Sequence, residues 1–412
     1  MKIYEITVPA KYPEFYSNAN FNPSIIKSVQ DDNLYIMSCR SFRRRTYSDL
    51  IGPINDVNDP NHPWYGGPLS KYWWTYDPID GFWGTGIFLV RYNGVNFDII
   101  DYIGSMPGVV DARLFRLNNS QILMTANGPT DNIEVGSDRS KYGLYGGSTN
   151  CAVNNCTLIN QYILQIEQTG NKLSLWSSEP RTLCNNLSHS VEKNWSVWEY
   201  NDSLNLTYLI SPGHVVFNIG EPISCGLDHS RYKNIFGEVE AYYYYNTFSS
   251  VDAEYRTVSD GVEIYYNKGV TFSLGTPALP FDANSYIGVG HAKISGVSLN
   301  KNENTPAAIF YRESSDMIRH PSRDTFYLMY FYTFNPQTFD IIKVSHSFLP
   351  PGTEYGVVFP CGLTMFDSNT FLISYGEADM KMKLLTISRK EIEEMLMDQP
   401  FNKPEKYQFI RM

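Results

Sequence analysis

The stretch Val110-Asp-Ala-Arg-Leu-Phe-Arg-Leu-Asn-Asn-Ser-Gln-Ile-Leu-Met-Thr125 has the pattern of a β-hairpin. A polar start leads into an apolar strand, Asn118-Asn119 supplies a turn, and a second apolar strand begins at Ile122. The same plan recurs at four other places in the chain, and we term the first residue of each copy an anchor. The five anchors are Asn22, Asp111, Lys193, Thr276 and Pro360.

Two spacings hold through all five copies. The anchors recur at intervals of 82 to 89 residues, and the second strand of each hairpin begins 10 to 12 residues after its anchor. A turn signal rich in Asp and Asn separates the strands: Asp31-Asp32-Asn33, Asn118-Asn119, Asn201-Asp202, Asp282-Ala283-Asn284 and Asp367-Ser368-Asn369. This regularity indicates a repeat of about 84 residues. It predicts an all-β fold, a five-bladed β-propeller, with residues 1–412 as a single domain.

Other architectures explain the pattern less well. A β-sandwich would not produce a fivefold period, and a solenoid normally has shorter repeats. Aromatic residues make up 15% of the chain, and the chain has 29 Gly and 23 Pro, a composition that favours strands and turns. The one notable helical pattern spans residues 389–397, and we expect a short C-terminal helix there.

Composition also excludes several classes of function. The formal net charge of −10 gives no general attraction to nucleic acid or anionic membrane. The N-terminus alternates like a strand, and no run approaches the roughly 18 apolar residues of a membrane helix. Six Cys and seven His show no metal-ligand spacing. We expect a cytoplasmic protein with no metal, cofactor, nucleic-acid partner or membrane partner. The sequence leaves the oligomeric state open.

Four of the anchors, Asn22, Asp111, Lys193 and Thr276, are polar and differ from copy to copy, whereas repeat positions that build a core should be apolar and alike. Equivalent positions on the inner strands of a propeller converge near its axis, so we expect the anchors to line one pocket. A second set of residues follows each inner strand and should reach the same pocket. It comprises Arg40, Asn127, Ser211 with His214, His291 and the stretch 376–379.

Asp111 stands out among these residues because Arg40, Arg113, Lys193 and His291 could surround it. A carboxylate among cations has a lowered pKa, but a bound anion that balances the cations would let Asp111 keep its proton and donate it. Structural explanations remain open for each residue. Asp111 could cap a turn, Arg113 could pair with it, Lys193 could be solvated, and His291 could be a buried histidine at a strand end.

At these same positions the chain resembles the five-bladed propeller mannoside phosphorylases and mannosidases (glycoside hydrolase family 130) and related mannosyltransferases. The resemblance spans roughly residues 22–387. The matching motifs are Asn22-Pro23, Val110-Asp111-Ala112-Arg113, Lys193-Asn194, Thr276-Pro277 with Gly290-His291, and Phe359-Pro360-Cys361-Gly362 with Tyr375-Gly376-Glu377-Ala378-Asp379. Val110 and Ala112 depart from the family, which has Glu and Pro there.

The resemblance implies an inverting glycosyl transfer on a mannoside-like substrate, by phosphorolysis, hydrolysis or transfer from an activated sugar. It implies that Asp111 is the general acid, with an oligosaccharide or sugar phosphate as substrate and inorganic phosphate or a nucleotide sugar as co-substrate. The residues that it places around the substrate are Asn22, Arg40, Arg113, Lys193, Asn194, Thr276, His291, Tyr375 and Asp379. For hydrolysis, Glu377 or Asp379 is the candidate base.

A non-catalytic glycan-binding propeller, either a pseudo-enzyme or lectin-like, is the alternative. A lectin would tend to repeat the same binding residues in every blade, whereas these anchors differ, which favours one asymmetric site. An aromatic region at 62–67 and 73–76, together with Trp83, either packs a long loop or forms an acceptor subsite that stacks on sugar faces.

Overall fold

The computed structural model shows an all-β chain, as the composition predicts, and its described residues include three short helices. It describes residues 1–16, 18–29, 31–46, 72–74, 83–107, 110–129, 159–169, 172–182, 194–210, 214–218, 233–234, 237–238, 255–259, 262–266, 270–296, 299–302, 304–317, 324–398 and 407–412. None of the helices in these ranges has the length and hydrophobicity that crossing a membrane requires.

The elements are numbered here in chain order. The first ten strands are β1 (Lys2–Ile6), β2 (Asn18–Lys27), β3 (Leu34–Thr46), β4 (Tyr72–Trp74), β5 (Trp83–Tyr92), β6 (Phe97–Pro107), β7 (Val110–Arg116), β8 (Ile122–Pro129), β9 (Ile159–Thr169) and β10 (Lys172–Thr182). The next nine are β11 (Ser196–Tyr200), β12 (Ser203–Leu209), β13 (Val215–Asn218), β14 (Lys233–Asn234), β15 (Gly237–Glu238), β16 (Tyr255–Ser259), β17 (Val262–Tyr266), β18 (Val270–Leu274) and β19 (Leu279–Pro280). The last nine are β20 (Tyr286–Ser295), β21 (Thr325–Phe334), β22 (Ile341–Ser345), β23 (Ser347–Leu349), β24 (Val358–Met365), β25 (Thr370–Glu377), β26 (Lys381–Ser388), β27 (Leu396–Asp398) and β28 (Phe409–Arg411). The helices are α1 (Pro13–Tyr16), α2 (Pro306–Glu313) and α3 (Arg389–Met395).

All five predicted hairpins are present. Each joins the strand that contains or follows an anchor to the next strand through the predicted Asp- and Asn-rich turn. The pairs are β2 with β3, β7 with β8, β11 with β12, β19 with β20, and β24 with β25. The turn residues therefore act as the sequence predicts, because Asn and Asp accept left-handed backbone and bond to their own main chain.

The chain divides into two compact units. The first contains Met1–Lys193 and Pro360–Ser388, and the second contains Asn194–Phe359 and Arg389–Met412.

Antiparallel sheets in hairpin order build the first unit. One has the order β2-β3-β5-β6 with β4 beside β3, the second has the order β7-β8-β9-β10, and the third has the order β1-β26-β25-β24. In the third sheet, Lys2 lies opposite Thr386 and Ile6 lies opposite Met382. The first strand of the chain thus completes a sheet whose other strands come from residues 358–388.

Apolar side chains from the sheets fill the core of the first unit. One buried cluster brings the first strand together with the first and third sheets: Tyr4, Ile6, Val8, Phe15, Ile25, Tyr35, Met37, Cys39, Phe88, Val90, Phe97, Ile99, Leu372, Met382 and Leu384. A second cluster lies between the first and second sheets: Ile26, Ile36, Ile87, Met106, Ala112, Leu114, Ile122, Met124 and Ala126. Burying a large apolar side chain stabilises a fold by about 1.5–3 kcal/mol, so these clusters dominate the stability of the unit.

The longest sheet of the second unit runs β18-β20-β21-β22-β27, with β19 beside β20, β23 beside β21, and β28 beside β23. Its centre is a ten-residue antiparallel pairing of β20 with β21, from Tyr286 opposite Phe334 to Ser295 opposite Thr325. Gly288 and Gly290 lie under the rings of Tyr332 and Tyr330, where a Cβ would collide with the phenol groups. The unit also contains the sheet β11-β12-β13 and the pairs β14-β15 and β16-β17.

The predicted C-terminal helix is present but shorter than expected. It covers Arg389–Met395, and the last predicted residues belong instead to β27. Leu396 pairs with Ser345 of β22, so strand pairing with the rest of the unit replaces the final helical turn.

Candidate functional site

Asp111 lies in the first unit, on β7, with only 7% of its surface exposed. The Arg40 guanidinium donates through Nη1 to Oδ1 at 3.1 Å and to Oδ2 at 3.2 Å, and Asn22 Nδ2 donates to Oδ1 at 2.9 Å. Two neighbouring strands, β2 and β3, therefore supply the groups that hold this carboxylate. Charge-assisted bonds of this kind are about twice as strong as neutral ones.

The backbone at this position is unusual. Asn22 has φ of 48° and Asp111 has φ of 51°, both in the left-handed region, and each coincides with a break in the register of its hairpin. Non-glycine residues rarely adopt this conformation, and strained residues concentrate at functional sites. The conformation recurs in the second unit at Asn194, with φ of 66°, one residue after the third anchor.

Two serine hydroxyls fix the strand that carries Asp111. Ser24 Oγ accepts a hydrogen bond from the Leu114 N–H at 2.8 Å, and Ser38 Oγ donates to the Ala112 carbonyl at 3.1 Å. Both serines are fully buried. The position of Asp111 relative to Asn22 and Arg40 is therefore set by main-chain bonds as well as by its own side chain.

Arg40 is the partly exposed member of this cluster, with 16% of its side chain accessible. Its guanidinium carbon lies 5.3 Å from the centre of the Phe21 ring. An aromatic face attracts a cation and orients its plane. Phe21 therefore holds the guanidinium in place while leaving part of the cation at the surface.

Arg113 supports Asp111 from within the core. Its Nη1 donates to the main-chain carbonyl of Asp111 at 3.0 Å, and its side chain is among the largest fully buried ones. This bond ties the guanidinium to the backbone at the strained position. Contact of Arg113 with substrate stays a prediction.

Cys361 is influenced electrostatically by four charged groups of the first unit. It is fully buried, and burial raises the pKa of its thiol well above the usual value. The charges that act on this pKa are Arg113, Asp111, Arg40 and Asp379, in decreasing order of effect. Two cations and two carboxylates thus lie close enough to Cys361 to influence its thiol electrostatically.

The hairpin of β25 and β26 brings the Tyr375–Asp379 motif to Asn22. A Cβ at Gly376 would collide with Asn22 Oδ1 and the Asn22 backbone, so only glycine allows this approach. Tyr375 is fully buried, and burial, followed by the charges of Glu377 and Glu5, raises the pKa of its phenol. Asp379 is partly exposed and has left-handed backbone.

Glu377 and Lys383 form a buried ion pair. The Glu377 side chain has no exposed surface, and that of Lys383 has 6%. A carboxylate paired in this way is poorly placed to activate water, which leaves Asp379 as the candidate base for a hydrolytic reaction.

Three predicted residues lie in the second unit. Thr276 is fully buried. Its Oγ1 accepts from the Val289 N–H at 3.0 Å, and its carbonyl accepts from Ser196 Oγ at 2.7 Å. His291 lies on β20 with 3% exposure, and its ring centre is 4.6 Å from that of Phe359. Asn194 is partly exposed before β11.

The remaining predictions lie outside what the structure describes. Lys193 is outside the described residues, as are Ser211, residues 62–67 and residues 75–76 of the aromatic region. Sequence reasoning missed Phe21 and Lys383. The available signal for Lys383 was its position within a mostly apolar strand pattern, residues 381–387. In the described part of the chain, no group of three or more His, Cys, Asp or Glu is placed to hold a metal ion.

No protein-family model and no curated protein matches this chain. Among solved structures, it is similar to a mannose phosphorylase from Leishmania mexicana in complex with phosphate ion, at 11% identity, covering 98% of this chain and 93% of that one, with a TM-score of 0.47. It is similar to β-1,2-mannobiose phosphorylase from Listeria innocua, at 10% identity, 96% and 99% coverage and a TM-score of 0.47. A GDP-Man-dependent mannosyltransferase from Leishmania mexicana has 9% identity, 100% and 92% coverage and a TM-score of 0.45. The structural neighbours thus include a mannose phosphorylase, a β-1,2-mannobiose phosphorylase and a mannosyltransferase.

Proposed function

We propose that this chain is a carbohydrate-active enzyme that transfers a glycosyl group from a mannoside-like substrate, with inversion at the anomeric carbon and Asp111 as general acid. The observation that carries the proposal is the Asp111 carboxylate itself. The carboxylate is nearly buried and accepts hydrogen bonds from Arg40 and Asn22, and the backbone of Asp111 is in the left-handed region. Burial, a charge partner and local strain together are typical of a functional carboxylate.

The proposed architecture is a single domain, a five-bladed β-propeller. The five-copy repeat supports it, and so do the hairpins that begin each copy. The pairing of β1 with β26 supports it further, because a ring of repeats closes when the first strand joins the sheet of the last repeat. Closure leaves few unpaired sheet edges.

The acid must carry a proton, whereas the ion pair with Arg40 favours the carboxylate. An anionic co-substrate, phosphate or the diphosphate of a nucleotide sugar, would compete with Asp111 for Arg40. Once released, Asp111 can take a proton and deliver it as the bond to the leaving group breaks. In phosphorolysis that proton goes to the glycosidic oxygen, directly or through a sugar hydroxyl, while a phosphate oxygen bonds to the anomeric carbon from the opposite face. Phosphate needs no base, because it is already an anion at neutral pH.

The other predicted residues would serve binding. Asn22, Asn194 and Asp379 would bond to sugar hydroxyls, and Lys193 and His291 would hold the anion with Arg40. Tyr375 and Arg113 would support this site, and the bonds of Thr276 indicate that it fixes β20. In the hydrolytic version, Asp379 would activate water at a carboxyl separation of roughly 6.5–9.5 Å from the acid.

One observation favours the alternative of a glycan-binding propeller without catalysis. Both oxygens of Asp111 already accept hydrogen bonds, from Arg40 and Asn22. If no co-substrate displaces Arg40, the carboxylate stays ionised and can only accept bonds from sugar hydroxyls.

Product analysis with a matched variant pair tests the proposal. The protein is incubated with β-mannosides, and with mannose 1-phosphate or GDP-mannose plus acceptor, with and without phosphate. Free sugar, sugar phosphate and nucleotide are followed in parallel. We expect Asp111→Asn to reduce turnover by about 100-fold or more, while Asp101→Asn, an exposed aspartate of the same unit, leaves it unchanged. An absence of turnover in every arm, with sugar binding equal in both variants, would favour the glycan-binding alternative.

A further inference from the structure

The turn between β25 and β26 is built from residues that do not favour its shape. Met380 N–H donates to the Glu377 carbonyl at 3.1 Å, and Ala378 and Asp379 have φ of 56° and 54°. Two successive left-handed residues are typical of type I′ turns, which normally take Asn-Gly or Asp-Gly. Ala378 has neither the freedom of glycine nor a side chain that bonds locally.

A second pair of successive left-handed residues shows the ordinary choice of side chains. Asn201 and Asp202, at the tip of the β11-β12 hairpin, have φ of 49° and 59° and are exposed. Their polar side chains tolerate left-handed backbone. Ala378, by contrast, is 4% exposed, so its conformation is imposed by surrounding structure rather than by its own preference.

The ion pair of Glu377 and Lys383 lies at the base of the strained turn. In the register of the hairpin, Glu377 is opposite Lys381, and Lys383 is opposite Tyr375. Lys383 therefore reaches diagonally across the first paired positions after the turn. A buried ion pair of this kind holds the two strands together directly beside the turn. A wider loop without left-handed residues would require the strands to move apart there. A broken pair would leave a buried charge without compensation.

The turn directs one further group. The charge of Asp379 acts on the Cys361 thiol, as do those of Asp111, Arg40 and Arg113. Gly376, one residue before Glu377, packs directly on Asn22, which bonds to Asp111. The hairpin thus contacts the cluster through the backbone of Gly376, and Asp379 follows three residues later in the turn.

We propose that Glu377 and Lys383 are positioning residues that hold the strained Ala378-Asp379 turn and thereby fix the Asp379 carboxylate beside the Asp111 cluster. This proposal assigns a role at the site of the proposed function, and it therefore rests on that function. The placement of Asp379 is a separate matter that can be measured without turnover.

The test uses two double variants. Glu377→Gln with Lys383→Met removes both charges at similar volume, and such replacements of buried pairs often fold well. Glu377→Lys with Lys383→Glu restores the pair in reverse. Lys381→Gln is the matched control, because Lys381 lies on the same strand and its 3.8 Å pair with Glu5 is more exposed.

Carboxyl labelling with a carbodiimide and an amine, read by peptide mass spectrometry, reports the environment of Asp379. In the uncharged variant we expect its labelling rate to change at least threefold, while that of the exposed Asp101 stays constant. The reversed pair should bring the rate back toward the wild-type value, and Lys381→Gln should not change it. An unchanged rate in a folded uncharged variant would overturn the proposal.

Kinetics supply the second readout. For a positioning role at the sugar, the uncharged variant should show a KM raised at least fivefold with a smaller change in kcat, at a temperature well below its thermal midpoint. A loss of activity proportional to the loss of folded protein would instead indicate a purely structural pair and contradict the proposal. If the wild type shows no turnover, the proposed enzyme activity fails, whereas the labelling result still decides the placement of Asp379.

Discussion

At the scale of single residues, Asp111 combines two unfavourable features. Its backbone is left-handed, which costs about 1–3 kcal/mol, and its charge is largely removed from water. Arg40 and Asn22 offset the burial of charge, and the serine bonds to β7 hold the backbone. Because several groups determine this one position, each should be coupled energetically to Asp111.

A double-mutant cycle measures that coupling. Removing one member of a buried ion pair leaves an uncompensated charge, so Arg40→Gln should lower the free energy of unfolding by about 3 kcal/mol. In the Asp111→Asn background the same change should cost clearly less. Urea unfolding of the four proteins gives the values.

The control cycle uses Arg411 and Asp316, whose side chains are 46% and 64% exposed. Exposed pairs contribute about 0.2–1 kcal/mol, so this cycle should show weak coupling. Equal coupling energies in the two cycles would contradict the account of Asp111 as a buried, supported charge.

Gly376 gives a second prediction at this scale. Gly376→Ala should lower the free energy of unfolding by about 1–3 kcal/mol, because the new methyl group would overlap Asn22. Ser374→Ala is the control, since it changes the same strand two residues away without adding volume. Its buried hydroxyl has no hydrogen-bond partner among the described residues, so its loss should be nearly neutral. Chemical denaturation of both variants checks this, and equal stability of the two would count against the close packing of Gly376 on Asn22.

The candidate residues of the first unit could be identified from the sequence because aligning the repeats allows equivalent positions to be compared. Asn22 and Asp111 are polar where a packed repeat would be apolar, and the structure joins them with Arg40. Phe21 and Lys383 were missed for a physical reason. Their roles depend on which side chains face each other between strands, and a single chain does not state that register.

At the scale of elements, turn chemistry was the reliable part of the prediction. Turns rich in Asp and Asn marked all five hairpins. Helix α2 was not predicted, although its start carries a clear signal. Thr305 Oγ1 accepts from the Ala308 N–H, and Pro306 occupies the first turn. The helix is only eight residues long, so periodicity could not reveal it, whereas capping could.

His214 provides a prediction about an element of the second unit. Its Nδ1 lies 2.6 Å from the Phe339 carbonyl, which can only accept, so Nδ1 carries the proton and Nε2 accepts from Thr207 Oγ1 at 3.2 Å. Trp198 Nε1 also donates to Thr207 Oγ1, at 3.1 Å. Burial lowers the pKa of His214 to about 4, against smaller raising effects from the Phe339 carbonyl and Asp340.

Because the folded pKa lies below the ordinary value of 6.5, the unfolded chain binds the proton first as pH falls. The stabilisation is complete above pH 6.5 and is lost as pH falls toward 4. His214→Gln keeps hydrogen-bonding groups but does not titrate, so its thermal midpoint should fall less than that of the wild type across this range. Trp fluorescence melts between pH 4 and 7.5 measure the difference. If the thermal midpoints of both proteins fell equally with pH, groups other than His214 would cause the acid sensitivity.

At the scale of the whole molecule, the all-β class and the five hairpins could be predicted from sequence, because the same turn signal recurs at a regular spacing. The location of β1 could not. Its alternating pattern identified a strand, but its partner, β26, lies more than 370 residues away, and local pattern carries no information about so distant a pairing.

This pairing predicts a strong effect of a small deletion. Tyr4, Ile6 and Val8 are all less than 9% exposed in the core cluster of the first unit. Removing residues 1–8 should lower the free energy of unfolding by about 4 kcal/mol or more. A synthetic peptide of residues 1–9, added in excess, should recover part of the loss by mass action.

Circular dichroism during urea unfolding measures both effects. Glu5→Gln, an exposed position on the same strand, serves as control and should change little. A truncated protein as stable as the wild type would show that β1 does not hold the third sheet together.

The first unit is built from two segments of the chain that the ribosome synthesises at different times. A ribosome adds about 5–20 residues per second, so roughly 20 to 80 s separate the emergence of β1 from that of β26. During this interval Tyr4, Ile6 and Val8 have no sheet to join and are exposed to other nascent chains. Lys2, Glu5 and Lys11 interrupt or border this apolar strand, and such charges act as gatekeepers against aggregation. The third sheet of the first unit therefore gains its β1 strand only after β26 has been synthesised, more than 370 residues later.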